Sequence, residues 1–344
     1  MICELRAVEV AMDNAKKFDV VALGELLIDF IPEGVSAQGK ALLTRNAGGA
    51  PANVLAMLSL LGKQTAFIGK VGCDSFGLFL KNTLLNRGID VSGLTVSRTE
   101  HTTLAFVTLD ENGDRSFDFY RDNSADVMLK REEVPEELLK ACRVFHFGSV
   151  SMTADPSRDA TLYAARRARE LGKLVSYDPN YRPALWKDRE TARSVMKAGL
   201  AIADVVKVSD EESEFLTGTA DKLSAARELL AAGAKIVLVT AGADGTWYAA
   251  AAGQEGHVSS LPVNAVDTTG AGDTFLGAFL SRLLDMERSV EALRGEDLDE
   301  LIRFANAAGA LCTTGKGAIE SMPRLEEIEQ HLKNEKSFAN RTLL

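Results

Sequence analysis

The stretch AVDTTGAGDTF, residues 265–275, sets Gly270 and Gly272 on either side of Ala271 directly before a carboxylate, Asp273. It then runs into TFLGAFLSRLL, where Leu276, Phe279, Leu280 and Leu283 fall at helical spacing, so the glycine-rich turn opens a helix. The backbone amides of Gly270, Ala271 and Gly272 can close on an anion there without side chains in the way. The positive end of the helix favours the ionised form of Asp273, which leaves it able to accept a hydroxyl proton. Amides that hold a phosphoryl group, beside a carboxylate that takes the proton of an attacking alcohol, are the two parts that phosphoryl transfer to a hydroxyl requires. Taken alone, Gly-x-Gly-Asp describes a tight turn and a helix cap equally well.

The elements that must position this turn follow from the rest of the chain. Short β-branched runs, VVAL (20–23), TAFIGKV (65–71), VFHFG (144–148), LVSYD (174–178), DVVKV (204–208) and KIVLVT (235–240), alternate with helix-period segments. One of these, SFGLFLKNTLLNRG, aligns Phe76, Phe79, Leu80 and Leu84 on one stripe and stops at Gly88. The alternation predicts a mostly parallel sheet covered by helices. Residues 102–121 break the rhythm: they read as two strands around Glu111-Asn112-Gly113-Asp114, a hairpin signal. With an extended piece near 26–45, this hairpin (101–124) is expected to form a small β-sheet lid over the site. Strand-like HVSSLPVNAV (257–266) leads into the glycine turn. The expected organisation is a flexible arm over 1–16, one domain over 17–332 and a tail over 333–344.

Composition narrows the partners. With 344 residues, 46% hydrophobic, the chain can bury one sizeable core, and a formal net charge of −10 argues against nucleic-acid or anionic-membrane surfaces. Four widely spaced cysteines without a CxxC pair, and four histidines without metal-ligand spacing, point away from a zinc site or a disulfide framework and towards a reducing compartment. Glu4, Glu9 and Asp13 interrupt any signal-peptide core, and no run reaches membrane-spanning length, so a cytoplasmic setting is expected. GVSAQGKA (34–41) matches most of a Walker A loop, but Ala41 has no hydroxyl for Mg²⁺ and no helix is expected after it. GELLID after the first strand is not the Gly-x-Gly-x-x-Gly of a dinucleotide site.

DTTGAGDTF resembles the C-terminal signature of the ribokinase-like (PfkB) carbohydrate kinases, and NAGGAPANVLAMLSLLG (46–62) followed by FIGKVGCDSFG (67–77) resembles their N-terminal signature. The resemblance runs from about Phe18 to about residue 330, in the family's order. Within it, GELLIDFIP (24–32), FDFYRDNSADVML (117–129), SYDPNYRPALW (176–186) and VVKVSDEESEFLTG (205–218) are most similar to the fructokinase branch. The implied fold is the ribokinase-like three-layer α/β/α sandwich with its lid. The implied reaction is ATP-dependent conversion of D-fructose to fructose 6-phosphate with Mg²⁺ and K⁺. A lid hairpin with an exposed edge can pair with a second subunit, so a homodimer through the lid is expected. The non-catalytic sensor is the rival of another class, and 2-keto-3-deoxygluconate kinase is the rival within the family.

The resemblance also implies roles. Asp273 is the base, and Gly270, Ala271 and Gly272 form the anion hole. Asp29 and Asn53 hydrogen-bond sugar hydroxyls, while Gly48 and Gly49 let the sugar approach the backbone; a buried lone carboxylate such as Asp29 is costly unless hydroxyls or amides satisfy it. Arg121 and Arg182 are substrate-binding candidates, and a carboxylate-bearing sugar acid would draw on both. Lys207 reaches a nucleotide phosphate, Ser209 replaces an asparagine common among relatives, and Glu212 orders water around Mg²⁺. Thr240, Gly242 and Gly245 lie in the nucleotide loop VTAGADG. Asp267 and Thr269, with carbonyls from 312–321, hold a monovalent cation, against which a capping role for Asp267 stays open.

Overall fold

The computed structural model describes residues 17–109, 115–286 and 288–342. Its strands are β1 (Phe18–Leu23), β2 (Leu27–Val35), β3 (Ala41–Gly48), β4 (Thr65–Gly72), β5 (Asp90–Ser97), β6 (Leu104–Leu109), β7 (Arg115–Tyr120), β8 (Cys142–Gly148), β9 (Leu174–Asp178), β10 (Val205–Ser209), β11 (Ile236–Thr240), β12 (Thr246–Ala250) and β13 (Glu255–Val258). Nine of them form one sheet in the order β13-β12-β11-β10-β9-β8-β1-β4-β5. From β11 to β5 every pairing is parallel, and β12 and β13 are added antiparallel at one edge. Every expected strand of the main series is present.

Side chains alternate across the pleat, so each inner strand feeds two cores. Val20 and Ala22 join a cluster with the helices Ala50–Leu60, Ala271–Asp285 and Gly295–Cys312, whereas Val21 and Leu23 join one with Ser157–Glu170, Arg189–Leu200 and Lys222–Ala231. Burial on both faces is why β10 and β11 read as nearly unbroken apolar runs in the sequence. This is the three-layer α/β/α architecture. Because the inner strands are parallel, Asp178, Ser209 and Thr240 at the ends of β9, β10 and β11 emerge on the same side, where ligands of open α/β sheets bind.

The lid is a separate four-stranded sheet in the order β3-β2-β6-β7. Two antiparallel hairpins are joined by a parallel pairing of β2 with β6, from Ile28↔Leu104 to Phe30↔Phe106. Phe30 stacks on Phe106 at 4.9 Å and meets Phe76 edge-on at 5.8 Å, which ties the lid to the helix Ser75–Asn86. The Asn112-Gly113 turn and the arm over 1–16 lie outside the described residues. The Walker-like GVSAQGKA spans the end of β2, its turn and the start of β3, with no helix to receive a phosphate.

Two expectations are corrected. The extended segment 257–266 is paired only as far as Val258, and Pro262 beyond it has no amide to give a ladder. The expected tail at 333 begins inside a helix, Leu325–Thr342, so no boundary falls there. Cys142 and Cys312 are free and buried. Among the described residues no helix is long and apolar enough to cross a membrane.

Candidate active site

A cleft of about 1020 Å³ opens at the carboxyl ends of the parallel strands, walled on one side by the lid residues Leu27, Asp29 and Phe119 and on the other by Thr268–Gly270, Gly272 and Asp273. Gly270 caps the helix Ala271–Asp285 at φ 77°, and a Cβ there would stand 2.6 Å from that of Ala318, so glycine is required twice over. The Ala271 amide turns back to the Thr268 carbonyl at 3.3 Å, which tightens the loop. Helical geometry leaves the amides of the first turn without intrahelical acceptors, and the dipole adds its positive end.

Asp273 sits in that first turn and is buried. Its Oδ2 accepts from Asn53 Nδ2 at 2.8 Å and its Oδ1 from Asn180 Nδ2 at 3.3 Å. Burial, followed by the nearby charge of Asp178, pushes its carboxyl up to about 6, against the pull of Asn53, Lys207 and Arg182. A base must be ionised to accept a proton, so kcat/KM is expected to fall roughly tenfold per pH unit below about pH 6. A pH–rate profile that stays flat down to the ordinary carboxylate range, about pH 4, would contradict this.

The sugar-side candidates divide. Asp29, half-buried on β2, is pushed up to about 7 by burial, with Arg182 opposing. Gly48 lies behind it and not on the cleft wall: a Cβ there would come within 2.1 Å of Asp29 Oδ2, so this glycine makes room for the carboxylate. Gly49 is on the wall, at φ 122°, and a Cβ would strike the Glu25 carbonyl at 2.3 Å. Arg182 is exposed at the cleft, where its Nη1 donates to the Tyr181 carbonyl at 3.1 Å. Arg121 is elsewhere. It is buried outside the cleft lining, with Nε and Nη2 on Asp126 Oδ2 at 2.8 Å, Nη1 on Thr153 Oγ1 at 2.7 Å and Nη2 on the Val150 carbonyl at 3.0 Å. The substrate-binding reading of Arg121 is therefore corrected to a structural one, since an arginine that closes the lid against the main body has no donor pair to offer a substrate.

The family is decided by the whole chain: the model of the pfkB family carbohydrate kinases matches residues 17–325. The chain belongs to this family. It is 46% identical to Fructokinase-1 of Zea mays over 90% of this chain and 96% of that protein. Among solved structures, a fructokinase from Xylella fastidiosa with bound ATP superposes with a TM-score of 0.85 at 33% identity, covering 92% of this chain and 99% of that one. A fructokinase from Vibrio cholerae O395, in a form with fructose, ADP and calcium ion bound, superposes at 0.82 and 34% identity with the same coverage.

On the far side of the cleft this pfkB kinase spends several expected ligands on its own backbone. Ser209 caps the helix Asp210–Thr217, its Oγ accepting from the Glu212 amide at 3.1 Å. Glu212 completes a capping box: Oε2 accepts from the Ser209 amide at 2.8 Å and Oε1 from the Tyr181 amide at 2.6 Å. A carboxylate offers about four lone-pair sites, so these bonds still leave it able to order water around Mg²⁺. Among the described residues no group of three or more His, Cys, Asp or Glu side chains could hold a metal ion. Thr240 and Gly242 line the cleft, but Gly245 does not. At φ 93°, with the Val258 carbonyl 2.2 Å from any Cβ, Gly245 serves the turn beneath the loop.

Asp267 clips two loops together, accepting from the Thr269 amide at 2.8 Å through Oδ1 and from the Gly317 amide at 3.1 Å through Oδ2. The backbone carbonyls of that junction have the chemistry a monovalent cation takes, and the cap and the cation readings are compatible in this geometry. Lys207 lines the cleft, and its Nζ donates to Asp178 Oδ2 at 3.0 Å, next to Gly272.

Three residues at the site were not singled out from the sequence. Glu25 is buried, anchors the helix Ala50–Leu60 by accepting from the Ala50 amide at 2.9 Å, and is pushed up to about 7 by burial. Asp178 and Asn180 belong to SYDPNYRPALW, the stretch from which Arg182 alone is taken as a substrate-binding candidate. A strand-ending aspartate two residues before an asparagine was the available signal, because such a pair can fold back on itself, as the Asn180 amide does on Asp178 Oδ1 at 3.0 Å.

Proposed function

We propose that this pfkB kinase transfers the γ-phosphoryl group of ATP to D-fructose, giving fructose 6-phosphate. The observation that carries it is Asp273, buried in the first turn of a glycine-opened helix, hydrogen-bonded by Asn53 and Asn180, and facing across one cleft the lid carboxylate Asp29. The similarity to the Zea mays and Vibrio cholerae fructokinases supports the choice of sugar. Asp29 and Asn53 orient the sugar hydroxyls; Asp273 accepts the proton of the attacking one; the amides of Gly270 and Gly272 take the phosphoryl oxygens, that of Ala271 being turned to the Thr268 carbonyl. Ser209, Thr240 and Gly242 border the nucleotide. Bound with the phosphates, Mg²⁺ would neutralise charge on the β- and γ-oxygens.

A sugar acid is the poorer fit, because Arg121 is committed to Asp126 and the cleft wall carries Asp29 and Glu25, which disfavour a second carboxylate. An ADP-release assay with fructose, ribose, glucose, adenosine and 2-keto-3-deoxygluconate tests this. Fructose should give the highest kcat/KM; a higher value for 2-keto-3-deoxygluconate overturns the assignment, and no turnover with any of them returns the sensor reading. K⁺ is expected to raise the rate over Na⁺ at equal ionic strength, through the Asp267–Thr269 junction beside the anion hole. Equal rates in K⁺, Na⁺ and a bulky organic cation would remove that role. The lid exposes Val35, Leu42, Leu43 and Tyr120, which supports pairing of two lids in a homodimer, measurable by sedimentation.

A further inference from the structure

Glu25 stands where the chain leaves β1 for the lid, between Leu23 at the end of β1 and Leu27 at the start of β2. It is 3% exposed, yet it lines the cleft. Its Oε1 accepts from the Ala50 amide at 2.9 Å and so caps the helix Ala50–Leu60. Its Oε2 is buried and has no hydrogen-bond partner among the described residues. A cap needs only one acceptor oxygen, and serine, threonine or asparagine would supply it without a second carboxyl oxygen to satisfy. A buried oxygen without a donor is costly, so a side chain that carries one to the wall of a ligand cleft calls for a donor on the ligand.

The charges around the cleft carboxyls show where along it Glu25 lies. Asp273 and Asp29 both feel Arg182, whereas the charges that reach Glu25 are those of Arg121 and Asp126. Arg121 Nη2 donates to the Val150 carbonyl at 3.0 Å, and Val150 is on the cleft wall. Glu25 and Val150 therefore mark the end of the cleft at the junction of lid and body, away from Arg182. The helix gives the same direction. The Ala50 amide held by Glu25 lies three residues, about 4.5 Å of helix rise, before Asn53, whose Nδ2 meets Asp273 Oδ2 at 2.8 Å. A sugar with its attacking hydroxyl on Asp273 extends its far end towards Glu25.

We propose that Glu25 is a specificity-determining residue whose Oε2 pairs with the C1 hydroxyl of fructose, a group that an aldopentose in the same pose lacks. With the C6 hydroxyl on Asp273, the far end of the furanose carries the C2 hydroxyl and the C1 hydroxymethyl. A ring hydroxyl is fixed at the ring edge, whereas the hydroxymethyl turns about its C–C bond and projects one atom further, which suits an oxygen recessed behind the wall. Burial pushes the Glu25 carboxyl up to about 7, and either form makes the pair: the carboxylate accepts the hydroxyl proton and the acid donates its own. One glutamate thus fixes the start of the helix with Oε1 and reads the sugar with Oε2. The proposal rests on the assignment of fructose as substrate, with its C6 hydroxyl at Asp273.

A cycle of two enzymes and two sugars tests it: wild type and Glu25→Gln, each with D-fructose and 1-deoxy-D-fructose. Wild type should use 1-deoxy-D-fructose with a kcat/KM about 10²-fold below that for fructose, because the missing hydroxyl leaves Oε2 unpaired. Glutamine keeps an oxygen for the Ala50 amide and presents an NH₂ in place of Oε2. The variant should therefore lose about tenfold or more in kcat/KM for fructose, and its preference for fructose over the deoxy sugar should shrink by about tenfold or more. The KM for ATP should stay within a few fold. A crystal structure of the wild type with fructose and ADP supplies a check that needs no variant: the C1 oxygen should lie within about 3.2 Å of Glu25 Oε2.

A purely structural role for Glu25 would lower kcat/KM for both sugars alike and leave the preference unchanged, and that result overturns the proposal. So does a wild type that uses the two sugars within about threefold of each other, or a crystal structure in which a water or a protein group, and not the C1 oxygen, meets Oε2. Should Glu25→Gln fail to fold, the wild-type preference and the crystal structure decide. A wild type that does not phosphorylate fructose defeats the substrate assignment itself. Fructose turnover with an unchanged preference in the folded variant defeats this proposal alone.

Discussion

Asp273→Asn is expected to lose about 10² to 10⁴ in kcat, roughly 3 to 5 kcal/mol of barrier, while the protein stays folded and binds ATP. Asparagine keeps the shape and loses the proton acceptor. The two amides now donating to Asp273 would meet one oxygen and one NH₂, and Asn53 can turn to present its Oδ1, which has no hydrogen-bond partner among the described residues. Stability should move the other way. The folded-state pKa of about 6 lies above the ordinary carboxylate value, so the folded chain binds this proton more tightly than the unfolded one, and the charge weighs against folding as pH rises through that window. Tm of the variant should therefore equal or exceed that of wild type at pH 8, with the difference shrinking towards pH 4. Steady-state kinetics with thermal unfolding at the two pH values provides the check, and a loss of kcat below tenfold removes Asp273 as the base.

Asp29→Ala should reduce kcat/KM for fructose by about 10² or more and leave the KM for ATP within a few fold, because two charge-assisted hydrogen bonds at about 1.5 to 3 kcal/mol each would be lost. The carboxylate is pushed up to about 7 in the free cleft, with only the Arg182 charge opposing burial, so sugar hydroxyls would supply the donors it lacks. A site built for particular hydroxyls discriminates more strongly than an apolar wall, since a missing partner leaves a desolvated group unpaired. Kinetics with fructose and with ATP varied in turn separates the two ends of the cleft. An equal rise in both KM values would mean that the lid strand has been disturbed as a whole, and an unchanged kcat/KM would remove Asp29 from the sugar site.

Much of this site was legible because its parts are contiguous. The glycines, Asp273 and the helix that carries them occupy one stretch, and the physics of a helix N-terminus depends on a few consecutive residues. Gly270 at φ 77° and Asp273 in the first turn are where the spacing of 265–275 puts them. The strands were legible for a related reason, as β-branched runs buried on both faces of a parallel sheet leave a local mark. Charged side chains leave none. Arg121 and Arg182 read alike in the sequence, yet one closes on Asp126, Thr153 and Val150 while the other stands at the cleft.

Glu212 shows the same limit from the opposite direction. It forms a capping box with Ser209, three residues before it, but its second partner, the Tyr181 amide, comes from the loop after another strand. The pairings of Asn53 with Asp273 and of Lys207 with Asp178 likewise join segments that are distant along the chain. The sequence by itself determined the layers, the glycine turn and the family. Only the tertiary structure decided which charges meet, because the neighbour of a side chain at the end of a strand is set by the order β8-β9-β10-β11 and by the helices packed over it. Hydrophobic periodicity specifies that an element is buried and on which face; it carries no information about which other element lies opposite, and the energy of a buried charge depends on that partner alone.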